Sequence, residues 1–76
     1  MAKKASPERR IVQQRADGRW EIVKPHHRRA SAIGETQREA EDRARAILRN
    51  LGGGELTTKG RDGKIRESDS VRRRQR

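Results

Sequence analysis

One stretch constrains this chain more than any other: residues 36–51, TQREAEDRARAILRNL, the one segment with a clear helical period. Ala40, Ala44, Ile47, Leu48 and Leu51 recur at i, i+4, i+7, i+8 and i+11, which at roughly 100° per residue makes a single apolar stripe. Thr36 with Glu39 three residues on is a capping box, in which hydroxyl and carboxylate satisfy two orphan amides reciprocally. Gly52 follows Leu51 and can take the positive φ that ends a last turn. A lone helix of this kind must cover its stripe with a sheet.

The sheet has little to work with. Of 76 residues 28% are hydrophobic and 42% charged, and Trp20 is the sole aromatic, so the core is a thin aliphatic layer that a second copy could complete. A chain of this length makes one domain and buries only about 60% of its unfolded surface. It has no cysteine, hence no disulfide framework and no thiolate metal site. No apolar run approaches the roughly 20 residues of a membrane span, and MAKKASPERR lacks a signal core, so a cytoplasmic protein is expected.

Two strands flank the turn residues Ala16, Asp17 and Gly18. A two-residue turn would pair Gln13 with Ile22 and split Val12 from Trp20. A three-residue loop with Gly18 as a left-handed bulge pairs Val12 with Ile22 and Gln14 with Trp20. It gathers Val12, Trp20 and Ile22 on one face and leaves Gln13, Arg15 and Glu21 on the other, so the amphipathic register is predicted. Pro25 breaks the second strand. Residues 29–33 are short enough for a returning edge strand. After the helix and the turn at Gly52, Gly53 and Gly54, residues 55–59 can add to the same sheet. Arg61-Asp62-Gly63 repeats the turn chemistry of Ala16-Asp17-Gly18, and residues 64–66 either pair back or dock. The expected fold is α+β: a small antiparallel sheet in β-β-β-α-β order with one helix on one face. Residues 1–8 are expected as a disordered basic arm, 9–66 as the domain and 67–76 as a disordered basic tail.

The order of these pieces resembles a known family. Asp17, Gly18, Trp20 and Lys24 are followed by Arg29, Ala30 and Ser31, then by Thr36, Glu39 and Ala40. Gly53, Gly54, Glu55 and Leu56 come next, then residues 60–65 and Asp69-Ser70. This is similar to the small, mostly bacterial domain-of-unknown-function family 2188 over about residues 10–70. Arg19 is inserted between Gly18 and Trp20, and Val71 and four arginines replace the aromatic and glycine expected after Ser70. The resemblance implies one compact domain and carries no activity.

Catalysis is not expected. The only histidines, His26 and His27, are adjacent and would point to opposite faces of a strand. The acids sit mostly on the helix surface or in turns, and the glycine run follows a helix and lacks a Walker lysine. No cofactor, metal or small-molecule substrate is indicated. The formal net charge of +10 points instead to polyanions. Residues 1–10 hold +3 of it and residues 67–76 hold +2. On the helix, Arg38, Arg45 and Arg49 lie opposite the stripe, but Glu41 precedes Arg45 and Glu39 precedes Arg43 by four residues and Asp42 sits among them, the spacings of internal ion pairs. The expected nucleic-acid surface, for DNA or RNA, is therefore the outer sheet face and rim, with Arg15, Arg19, Lys24, Arg28 and Arg29 backed by Gln13 and Gln14. The C-terminal Arg72, Arg73 and Arg74 would add phosphate contacts without reading sequence. Trp20 is expected to cover Ala40 and Ala44 instead of stacking on bases. The competing reading is an interaction module or homodimer that pairs through an exposed β-edge. Membrane binding through the basic ends lacks an apolar amphipathic helix.

Overall fold

The computed structural model describes residues 8–27 and 29–72. Strands β1 (Glu8–Gln14), β2 (Trp20–Val23) and β3 (Ala30–Gly34) precede helix α1 (Gln37–Asn50), and β4 (Gly53–Lys59) and β5 (Ile65–Arg72) follow it. The sheet has five strands in the order β3-β2-β1-β4-β5. The first hairpin has the predicted register, with Val12 opposite Ile22 and Gln14 opposite Trp20. Its turn is closed by Arg15 N–H donating to the Arg19 carbonyl at 2.7 Å and Gly18 N–H to the Arg15 carbonyl at 3.1 Å. Gly18 holds φ at 91°, where a side chain would be strained. The Asp62 turn is built the same way: Gly60 N–H donates to the Lys64 carbonyl and Gly63 N–H to the Gly60 carbonyl, both at 2.9 Å.

Two expectations need correcting. The sheet is mixed, not all antiparallel, because β4 lies parallel to β1. The reason is the helix. β3 runs in the same direction as β1, since both are antiparallel to β2. The 14 residues of α1 carry the chain back along the sheet, roughly 21 Å at 1.5 Å per residue, so β4 restarts from the end where β3 began. The second correction concerns the C-terminal segment. Residues 67–72, expected to fray into a tail, continue β5, and β5 pairs antiparallel with the full length of β4. Val71 anchors it: it is buried and lies opposite Gly54, beneath the helix. Glu8, assigned to the arm, opens β1. Residues 1–7 and 73–76 lie outside the described residues.

The helix cap forms nearly as its motif requires. The Thr36 hydroxyl accepts from Glu39 N–H at 3.1 Å, while the Glu39 carboxylate reaches one residue further back, to the amide of Glu35. Gly52, at φ 98°, donates to the Arg49 carbonyl and ends the last turn. The buried stripe is narrower than predicted. Ala40, Ala44 and Leu48 are fully covered, Ile47 is half-buried, and Leu51 is exposed beyond the helix end. Val12, Ile22, Leu56 and Val71 complete the core from the sheet. Alanines let the helix approach closely. A Cβ on Gly34 would stand 2.9 Å from the Ala40 nitrogen, so this β3 position tolerates no side chain.

Candidate nucleic-acid interface

The topology sorts the basic residues to two ends of the sheet. The β1–β2 turn, the start of α1 and the β4–β5 turn share one end, which places Arg15 and Arg19 there. Lys24 and Arg29, in the β2–β3 connection, lie at the other end together with Arg72 of β5. From Arg19 to Lys24 the chain advances about 17 Å at strand spacing. Arg72 is three strands away from β2, another 14 Å or so. The predicted set therefore does not converge on one surface. Arg28, Arg73 and Arg74 lie outside the described residues.

Carboxylates then separate these cations further. Arg15 Nε lies 3.4 Å from Asp17 Oδ2, and its Nη1 lies 3.7 Å from Glu21 Oε1. Arg19 Nε faces Glu35 Oε2 at 3.7 Å, and Arg9 on β1 faces Glu55 on β4 at 3.6 Å. Gln13 donates to Glu21 at 2.7 Å, so neither side chain is free to read a base edge without breaking that bond. The open sheet face is thus largely neutralised by its own acids. Asp17 feels this most: the Arg19 backbone N–H on Oδ1, and then the Arg15 and Arg19 charges, hold its carboxyl below the usual range. On the helix, the pairs expected at Glu41–Arg45 and Glu39–Arg43 are replaced. Arg45 pairs with Asp42 and with Asp69 of β5. Glu41 instead accepts from the buried Thr58 hydroxyl at 2.8 Å and from Gln37 at 3.2 Å.

The cations that sequence reasoning left out lie in and beside the β4–β5 turn. Lys59, Arg61, Lys64 and Arg66 occupy eight residues with one acid, and none joins an ion pair among the described residues. The acid, Asp62, is used within the turn, where Oδ1 accepts the Lys64 N–H at 3.0 Å. This turn and Trp20 border an open cleft of about 680 Å³, with Gln37 at the helix start and Gly60, Arg61, Asp62, Lys64, Ile65 and Arg66 as its other walls. Trp20 packs on the core as expected, yet it is only half-buried and lines this cleft as well. The missed signal was present in the sequence as four cations around a repeated Asp-Gly turn.

Charge counting also misplaces Arg10. Assigned by position to the basic end, it shares strand parity with Val12 and is 5% exposed beneath the helix side of the sheet. Its guanidinium meets Glu8 Oε1 at 3.2 Å and the Arg9 carbonyl at 2.8 Å, so it belongs to the fold and not to a partner surface. His26 and His27 are exposed in the β2–β3 turn, with His26 at φ 67°, and among the described residues no group of three His, Cys, Asp or Glu could hold a metal. No helix among the described residues is long and apolar enough to cross a membrane.

Neither a curated protein nor a solved structure gives a significant match to this chain. A family does. The description "Uncharacterized protein conserved in bacteria (DUF2188)" matches residues 9–71, from the start of β1 to the buried valine of β5, and the chain belongs to that family.

Proposed function

We propose that this domain binds nucleic acid, without catalysis and with little sequence preference, through cations that its own carboxylates leave unpaired. The observation that carries the reading is the distribution of acids. They neutralise Arg15 and Arg19 but leave Lys24 and Arg29 at one end, and Arg61, Lys64 and Arg66 at the other, exposed and without an ion pair among the described residues. Phosphate neutralisation needs such cations and no particular base contact. The basic residues of the two chain ends, Arg73 and Arg74 included, add to the same attraction. A protein without cysteine fits a cytoplasmic setting for this role.

The test is fluorescence anisotropy of labelled duplex and single-stranded oligonucleotides, titrated at several salt concentrations. The full chain is compared with a variant in which Arg72, Arg73, Arg74 and Arg76 are glutamine. Binding that survives this change and weakens steeply with salt supports a surface on the folded domain. Binding lost with those arginines reduces the reading to attraction by the chain end, and absence of binding refutes it. The alternative is β-edge pairing with a second copy or a protein partner. Its support is that β3 is an edge strand carrying the exposed Ile33, and its association would be nearly independent of salt.

A further inference from the structure

The cleft beside Trp20 combines three features found together nowhere else among the described residues. It is bordered by the chain's sole aromatic side chain, it is walled by three cations without carboxylate partners, and it is open to solvent. Two other surface hollows lack this combination. The one at Gln14, Arg15, Ala16, Asp17 and Glu21 has its arginine neutralised by both acids in its own wall. The one at Arg45, Arg49, Asp69, Ser70, Val71 and Arg72 is smaller, about 250 Å³, and Asp69 occupies Arg45.

The local structure explains why the cleft exists. Gln14 and Trp20 face each other at the end of the first hairpin, on the helix side of the sheet. β4 passes beside β1 and carries the chain beyond that end before the Asp62 turn reverses it. The turn therefore stands next to Trp20 with the helix start above. Gly60 has a specific part in this: a Cβ there would lie 2.8 Å from Arg66 Cδ, so the missing side chain lets the Arg66 stem lie across the strand end. Gln37 commits its Nε2 to Glu41, which leaves its carbonyl oxygen as an acceptor at the cleft wall.

We infer that this cleft is a subsite for single-stranded nucleic acid: an unpaired base stacks on the Trp20 indole while Arg61, Lys64 and Arg66 hold the flanking phosphates. The assignment rests on the nucleic-acid reading above and locates it. The cleft volume of about 680 Å³ lies in the range that encloses a small planar ligand. Stacking on an aromatic face beside backbone-tracking cations is how single strands are held without sequence readout. A paired duplex base cannot reach the indole, so the site discriminates against duplex.

Trp20 makes the test direct, because it is the sole tryptophan and lines this cleft. The full-length protein is titrated with oligo-dT, with an abasic strand of equal length and with a duplex. Trp20 emission and the anisotropy of a strand label are read in parallel. Oligo-dT is expected to quench Trp20 in step with the anisotropy, while the abasic strand and the duplex raise anisotropy with little quenching. The triple variant R61A/K64A/R66A should lower the single-strand salt slope by about 2, at roughly 0.7 per phosphate contact. Trp20→Leu should weaken single-strand affinity about 5- to 150-fold and leave duplex affinity in place. Should Trp20→Leu fail to fold, the triple variant, confined to exposed residues in and beside the turn, decides alone. Strand binding with unchanged Trp20 emission and an unchanged slope in the triple variant overturns the cleft and leaves the broader reading standing. Loss of all oligonucleotide binding removes both. A mononucleotide that quenches Trp20 at lower concentration than the strand would overturn the strand assignment.

Discussion

Val71 separates a folded fifth strand from a basic tail, and its truncation to alanine measures the difference. The side chain is 8% exposed and belongs to the cluster containing Leu48 and Leu56. Opposite it on β4 is Gly54, which has no side chain to fill a vacated space. Val71→Ala removes two methyl groups, about 1.6 kcal/mol of transfer free energy, and the incompletely closed cavity brings the total to about 2 kcal/mol. A 76-residue domain at roughly 0.05–0.15 kcal/mol per residue has only about 4–11 kcal/mol in hand. The loss is therefore large, equivalent to a Tm decrease of about 8–16 °C at 4–8 °C per kcal/mol. Thermal melts by circular dichroism check it, with Ser70→Ala as control because Ser70 is exposed on the open face of the same strand. A Val71→Ala melt within about 2 °C of that control would show that β5 contributes nothing and that the chain frays where its charge pattern suggested.

Gly54→Ala should disrupt the β1–β4 pairing. The new Cβ meets the Glu8 carbonyl and stands 2.9 Å from Leu48 Cδ2, a cost of about 2–3 kcal/mol that urea denaturation would register. Thr58→Val keeps the shape of a fully buried residue but removes the hydroxyl that Glu41 accepts. Because Glu41 is partly solvated, we expect a loss of about 1–2 kcal/mol. Thr58→Ser keeps the hydroxyl but gives up a buried methyl, so it should lose about 1 kcal/mol through packing instead, and a neutral Thr58→Val would show the bond to be dispensable. Asp17 titrates below its unfolded value, so its stabilising contribution is present above the unfolded pKa and fades as pH falls through the lower folded one. Asp17→Asn should flatten that acidic limb of the stability curve, and a limb unchanged in the variant would assign it to other carboxylates.

The local elements were legible because each is specified by neighbours in sequence. The helix declares itself by a capping box and a glycine stop, and the first hairpin by one turn and one amphipathic register. The long-range pairing was not. Whether β4 runs parallel or antiparallel depends on which end of the sheet the helix returns the chain to, and whether it joins β1 or β3 depends on how the helix crosses the sheet; no short pattern states either. β5 was hidden for a different reason. Its residues are exposed except Val71, so it has no hydrophobic alternation and holds its place through β4 and one buried valine. The candidate site was read from the position of bases alone. Arg15 and Arg19 looked available because their partners are not all adjacent in sequence: Glu21 faces Arg15 only across the hairpin, and Glu35 reaches Arg19 only from beyond β3.

The acids, more than the bases, decide where a polyanion can approach. Among the described residues, seven of the eleven carboxylates pair with five arginines. Three more are committed elsewhere: Glu39 to the helix cap, Glu41 to Thr58 and Asp62 to its own turn. Surface pairs at 3.4–3.7 Å add little stability, about 0–1 kcal/mol each, so their larger effect is on the field. A neutralised pair attracts no phosphate beyond a Debye length of about 8–10 Å at moderate salt. Removing the acids should then expose the latent site. Glu21→Gln keeps an amide oxygen for the Gln13 bond, and Glu35→Gln changes a side chain that is 72% exposed, so the double variant should fold normally. It uncovers Arg19 fully and Arg15 in part, on the end of the sheet that also carries the β4–β5 turn. Duplex and single-strand affinities measured by anisotropy at low salt should both rise, with the salt slope steeper by about 1. A folded double variant with unchanged affinity and slope would mean that these arginines lie outside the contact, and that compensation by acids is not what keeps nucleic acid from the sheet face.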